Sequence, residues 1–304
     1  LECVSLLNLI AKYTLDYNLE NANLLFYFTR KYIKNIEKSY YKALLKSAVL
    51  NNHSDVFSRR FQIKKSLKLL HLALIINLNN SQFENAARKC NKISESYYMG
   101  EIFIKGYLYA MKGLKILNYI KIFDQRLEIN LNFSLFINLI EVKPEREKLD
   151  ILFKKLINLI ENHLLYDFAI HYFQIIESYF FKINDIAKGL NFINNKIEMI
   201  SKLDSFANKN KYLNNLILLK LTFKYNLGQV DFEYFVKISD VTKIFKNGFQ
   251  NDSNLFYRFK LFTMELEEMS SNAKISGNTI NLPIKPFFYC NILKNFNKLR
   301  KSVE

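Results

Sequence analysis

A chain of 304 residues that is half hydrophobic and 24% charged is excluded from the disordered class. Its 7 Gly and 3 Pro are too few for the turns of a β-sandwich and suit helices joined by short polar loops. A formal charge of +16 would ordinarily point to nucleic acid or an acidic partner, but the excess is Lys in a chain over-rich in Asn and Ile. A solvated surface set by compositional bias is the preferred explanation.

In chain order, the 3.6-residue apolar period predicts helices at 2–15 and 19–35, 38–51 and 54–61, 63–79 and 82–93, and 95–106 and 108–123, paired as four hairpins. The third is fully written. Leu67, Leu70, His71, Leu74 and Leu78 share one face, Asn79-Asn80-Ser81 turns, and Phe83, Ala86, Ala87, Cys90 and Ile93 repeat the period. Ser81 is placed as the N-cap, with Glu84 completing a capping box. Further helices follow at 130–141 and 145–161, the latter opened by Pro144 with Glu145 and Glu147 and striped by Leu149, Leu152, Phe153, Leu156, Ile157 and Ile160. Helices at 164–182, 185–200, 207–226 and 231–248 continue the series, with Gly228 as a C-cap and Asp231 opening the last of them. The tail reads as a helix near 253–270, a loop or linker at 271–286 and a C-terminal helix at 287–304.

Two short helices joined by a tight turn cannot bury both faces alone, so each hairpin needs copies stacked on it. Small residues mark the copies. Leu19, Ala22 and Phe26, then Phe83, Ala86 and Cys90, then Ile186, Gly189 and Ile193 repeat one order: apolar, small, bulky. The three small residues are separated by roughly two and three multiples of ~34 residues, the length of a tetratricopeptide hairpin. Met99, Gly100 and Phe103 fit the same pattern in the fourth hairpin. Ala22, Ala86, Gly100 and Gly189 are therefore expected at close helix crossings. The expected fold is all-α: a tetratricopeptide-like α-solenoid, a right-handed superhelix of antiparallel hairpins over residues 1–270, most regular in 1–200.

Several stretches resemble a particular branch of these repeats. Leu15 to Ala22 followed by Leu24, Leu25 and Phe26, then Lys68 to Ile93, then Tyr98 to Ile120 with Phe136, Leu139, Ile140, Pro144, Glu145, Glu147 and Leu149, resemble the amino-terminal half of the tetratricopeptide subunits of the anaphase-promoting complex, most closely the Cdc-sixteen type. The resemblance covers the first 160 residues. It implies a non-catalytic scaffold that homodimerises through its first repeats within a nuclear ubiquitin ligase of the cell cycle.

Catalytic chemistry has no constellation to stand on. No phosphate-binding loop, dinucleotide fingerprint, nucleophile elbow or metalloprotease helix motif occurs. His163, Asp167 and His171 share a helix face at metal-ligand spacing, but without another ligand cluster they read as half-buried helix residues. No metal, cofactor or enzymatic activity is expected. Cys3, Cys90 and Cys290 form no CxxC pair, which suits a reducing compartment, and no membrane span is expected. An intracellular protein, nuclear or cytoplasmic, follows. The start at Leu1, without Met and already helical, suggests a fragment or processed chain lacking a signal peptide.

Binding surfaces are the remaining candidates. Leu6, Leu9, Tyr13, Leu25, Phe26 and Phe28 give the first hairpin more apolar surface than one neighbour can hide, which predicts a homodimer interface within 1–60. Arg59, Arg60, Lys64, Lys65 and Lys68 form the densest basic stripe, and Lys294, Lys298 and Lys301 a second. A stripe can track phosphates, but no repeating set of base-reading residues accompanies it, so nucleic acid is not the favoured partner. Tyr13, Tyr17, Tyr40 and Tyr41 fall near hairpin ends, where rings could line a groove. The expected function is a protein–protein interaction scaffold whose partners are other subunits of a multiprotein complex. An unrelated tetratricopeptide-like adaptor and an RNA-binding helical repeat are the alternatives.

Overall fold

One backbone turn recurs along the chain. Phe61, Ser81 and Glu101, spaced twenty residues apart, and later Asn184, each adopt a left-handed conformation with φ of 55, 54, 58 and 54°. At each, the following N–H reaches back to close the preceding helix: Gln62 to the Phe57 carbonyl, Gln82 to Asn77, Ile102 to Tyr97 and Asp185 to Phe180. Together with the shorter bond one residue earlier, this is a Schellman closure, which satisfies carbonyls that a helix end leaves free. The next helix starts at once, and Gln62, Gln82 and Ile102 supply no side-chain cap.

The computed structural model describes residues 2–37, 39–121, 123–142, 144–162, 169–203 and 209–229. They contain helices α1 (Glu2–Thr14), α2 (Leu19–Tyr32), α3 (Tyr40–Arg59), α4 (Ile63–Asn79), α5 (Phe83–Met99), α6 (Phe103–Leu117), α7 (Gln125–Glu141), α8 (Arg146–Asn162), α9 (Ala169–Lys182), α10 (Ile186–Lys202) and α11 (Lys209–Asn226), with a 3-10 turn at Ile33–Asn35. The fold is all-helical, with no strand among the described residues. The chain forms two units, Leu1–Leu152 and Phe153–Glu304, divided within α8. The predicted linker at 271–286, the C-terminal helix at 287–304 and the helices expected at 231–248 and 253–270 lie outside the described residues.

In the first unit each helix from α1 to α7 packs on the next, and α1 on α3 and α5 on α7 also touch. Helix α4 shows why. Leu67, Leu70 and Leu74 join Ala86, Ala87, Cys90 and Ile93 of α5, whereas Leu69 and Ala73 join Leu50 of α3. Two apolar stripes on one helix hold two neighbours. Val4, Ala11, Leu15, Ala22, Phe26, Val49 and Val56 build the corresponding core of α1 to α3.

In the second unit α9 and α10 pack together, and α11 packs on both. Phe153 of α8 stacks on Tyr179 at 3.9 Å between ring centroids, and Phe180 meets Phe153, Phe192 and Phe223. Every residue of α9 from Tyr172 to Phe180 is buried, the mark of an interior helix. A Cβ on Gly189 would lie 2.2 Å from a Phe223 ring carbon and 2.8 Å from the Phe180 ring.

Several expected boundaries shift. The helices predicted at 38–51 and 54–61 are one, α3, because the supposed turn Asn51-Asn52-His53-Ser54 has tertiary partners that override its low propensity. His53 is buried between Phe26 and Phe57, and Asn52 donates to Asn8 of α1 at 3.2 Å. Ser81 is the left-handed turn residue and not an N-cap. The predicted break before 95 is absent, since α5 runs to Met99 and the turn falls at 100–102. Gly228, at φ 67°, does follow the end of α11 as expected.

Candidate functional site

Polar side chains of the first unit gather on its alternate helices. Asn52 of α3 donates to Asn8 of α1, Lys92 of α5 pairs with Asp55 of α3 at 2.8 Å, and Ser134 of α7 donates to Asn91 of α5 at 2.9 Å. The line of bonds thus runs through α1, α3, α5 and α7. Its deeper part, Ser94, Ser134 and Asn138, is buried. Ser94 Oγ donates to the Gly106 carbonyl at 2.7 Å, while the Asn138 amide donates to Ser94 and to the Ser134 carbonyl. Burial pushes the Lys89 ammonium down to about 8, with the nearby Lys92 charge adding to the effect. The Glu95 carboxylate accepts a hydrogen bond from the Asn91 amide at 2.7 Å.

The same unit carries a cleft of different chemistry, about 730 Å³ in volume, between the end of α2, the start of α3 and the outer side of α4. Val49, Leu50, Leu72, Ile75, Ile76 and Ile33 give it a hydrocarbon floor, and Tyr27 is its one aromatic lining residue. Five cations surround that floor: Arg30, Lys31, Lys34, Lys42 and Lys46. No carboxylate lines it. Two of the five have local work. Lys42 donates to the carbonyls of Lys34 and Ile36, closing the 3-10 turn, and Arg30 lies 3.5 Å from His53 Nδ1. Burial, reinforced by the Arg30 charge, lowers the His53 pKa to about 4, and its other nitrogen meets Asn23 at 2.9 Å. His53 is thus held neutral beneath the rim.

The predicted surfaces divide unevenly. Leu6, Leu9 and Tyr13 are exposed along α1, with Ile10, at i, i+3, i+4 and i+7 spacing, and Phe28 is exposed on α2. Phe26, expected on that apolar face, points inward instead and is fully buried, and Leu25 is packed partly against the same core. Ala22 and Ala86 are fully buried at the interhelical cores, and Gly189 sits at a close crossing. Gly100 does not: it caps α5, and a Cβ there would make only ordinary contacts, the nearest with Ile63 at 3.4 Å. The tight approaches of α6 are at Gly106 and Gly113, where a Cβ would meet Asn138 at 2.0 Å and Leu131 at 2.4 Å. An interior helical glycine is the signal that could have found them.

The predicted basic stripe is partly neutralised. Arg59 pairs with Asp16 and Arg60 with Glu20, each at 2.7 Å, and Arg59 also donates to the Leu15 carbonyl at 3.1 Å. Lys65 lies 5.7 Å from the Phe57 ring centroid, and Lys64 and Lys68 point into solvent. The two arginines fasten the end of α3 to the loop between α1 and α2 and to the first turn of α2. His163 and Asp167 lie outside the described residues, as do Lys294, Lys298 and Lys301, and only the backbone of His171 is described. Among the described residues no cluster of His, Cys, Asp and Glu could hold a metal ion, and no helix is long and apolar enough to cross a membrane. Comparison of the sequence with protein-family models and with curated proteins finds no match.

Proposed function

We propose that the chain is a non-catalytic protein–protein interaction scaffold, a tetratricopeptide-like α-solenoid in which successive hairpins stack. The observation that carries this reading is the α1 stripe of Leu6, Leu9, Ile10 and Tyr13, left in solvent on a helix whose other face, Val4 and Ala11, is core. Contiguous apolar surface of that kind is the usual mark of an interface. A second copy of the chain is its partner, through a self-complementary two-fold contact within residues 1–60. The resemblance of the first 160 residues supports a place among the subunits of the anaphase-promoting complex, nuclear or cytoplasmic.

One observation favours the alternative of an unrelated helical-repeat adaptor. Turns at Phe61, Ser81 and Glu101 make each helix pair longer than the ~34 residues of a tetratricopeptide unit. An RNA-binding repeat is disfavoured by the pairing of Arg59 and Arg60 with carboxylates.

Two measurements test the proposal. Sedimentation equilibrium should find a dimer at micromolar concentration, and a monomer for Leu9→Glu/Tyr13→Glu; a monomeric wild type removes the dimer. Purification of the tagged chain from its native source should retain protein partners. Subunits of the anaphase-promoting complex among them keep that address, other proteins leave the adaptor, and nucleic acid in place of protein overturns the scaffold.

A further inference from the structure

We infer that the cleft between α2, α3 and α4 is a docking groove for an acidic amphipathic helix of a partner protein. This rests on the scaffold reading and gives it a partner class, at a surface separate from the α1 stripe. The argument begins with charge. Among the described residues Lys31, Lys34 and Lys46 of the rim form no ion pair, and the cleft has no carboxylate of its own to meet them. A ligand that brings negative charge would complement this one-signed lining.

The floor then selects the shape of that ligand. Leu72 and Ile75 are 42% and 53% exposed on a helix whose other faces are core, so the cleft offers hydrocarbon that water covers poorly. Uncharged polar side chains are almost lacking: the Tyr27 hydroxyl is the one that lines it, too few to pair the main chain of an extended peptide. An extended peptide would leave main-chain N–H groups facing hydrocarbon and cations with no acceptor, which is unfavourable in a desolvated contact. A helix satisfies its own main chain and presents an apolar stripe flanked by Glu or Asp, matching the floor and the rim together. Single-stranded nucleic acid fits less well, since its bases need aromatic platforms and Tyr27 is the only ring lining the cleft. A bilayer is too flat to reach a floor set between helices.

The test uses the full chain and a displayed library of random-faced helical peptides of about five turns, ~18 residues. Selection on the wild type should enrich peptides with Leu, Ile or Phe at i, i+3, i+4 and i+7 and acidic residues flanking that stripe. Their affinity should fall at least about tenfold for Lys31→Glu/Lys34→Glu/Lys46→Glu, and similarly for Leu72→Asp/Ile75→Asp, with helix content unchanged by circular dichroism. Raising salt should weaken wild-type binding. The inference is overturned if no peptide is enriched, if enriched peptides are neutral or basic, or if they bind the charge-reversed chain equally well. Groove-dependent capture of phosphatidylserine vesicles or poly(U) in place of peptide overturns it too. Should the groove fail while the α1 stripe still mediates self-association, the scaffold reading stands without it.

Discussion

Two seams in this molecule solve the same packing problem with opposite chemistry. Between α6 and α7, Gly106 lets the backbones approach and Asn138 fills the space with a hydrogen-bonded amide. Between α10 and its neighbours α9 and α11, Gly189 does the same and the rings of Phe180 and Phe223 fill the space. The comparison separates the two roles of a contact residue. Absence of a side chain on one helix sets the distance, and the group opposite decides how the contact fails. Rings resist displacement because their packing is rigid, whereas an amide can rotate away at the expense of its bonds.

That difference can be broken experimentally. The largest effect is expected from Gly189→Ala, which forces a methyl group into two rings and should destabilise the second unit by about 3 kcal/mol despite the better helix propensity of Ala. Gly106→Ala should lose about 2 kcal/mol, because displacing Asn138 breaks its bonds to Ser94 and Ser134. Urea denaturation measures both. The decisive refinement is Gly106→Ala/Asn138→Ala, which should be less destabilised than the sum of its parts by about 1 kcal/mol or more, since the methyl group enters the space that the amide left. Additive losses would show that the two residues do not share that space.

A mixed seam lies between α2 and α3, where His53 is stacked on Phe26 and bonded to Asn23. The unfolded chain takes up this proton near the ordinary 6.5, whereas the folded His53 resists it until about 4. Stability contributed by the neutral ring is therefore intact above 6.5 and declines as pH falls toward 4. Urea midpoints at pH 7 and pH 5 should reveal the decline, and His53→Gln should remove its contribution. A wild-type midpoint that does not fall would contradict the burial of the ring.

The smallest effects concern the turns that close each kind of seam. Glu101, just past the end of α5, holds a left-handed conformation that a Cβ disfavours, so Glu101→Gly should stabilise the chain by up to about 1 kcal/mol. Asn184 before α10 occupies the same conformation, which Asn tolerates, and Asn184→Gly should change stability by only a few tenths of a kcal/mol. Equal gains would place the strain elsewhere.

Much of the helical order was legible because apolar period is a local property. Leu149 to Ile160 and Ala86 to Ile93 could be read directly, and both lie on helices with those faces buried, although Phe83, read with the second stripe, is exposed. The turns were less legible because they are made without glycine: Phe61, Ser81 and Glu101 carry no residue signature for a left-handed φ. Asn51 to Ser54 misled for the converse reason, since polar residues that favour turns in isolation are held helical by partners on α1 and α2. The charged groove was invisible to a search for clustered bases. Its cations come from two helices and a 3-10 turn, and only the packing of α4 beneath them supplies the floor. Arg59 and Arg60 formed the conspicuous cluster, and their carboxylate partners, Asp16 in the α1–α2 loop and Glu20 in the first turn of α2, are far away in sequence.

The Schellman closures bear on how the chain acquires its structure during synthesis. Each is completed by hydrogen bonds spanning at most five residues, and the helices it joins touch mainly the next helix or the one after. Contacts so short in sequence favour fast, local folding. In the first unit, a helix pair leaving the ribosome can therefore dock on the pair made just before it, with contacts that lie close in the chain. The order of the helices in the chain is then the order in which their partners become available.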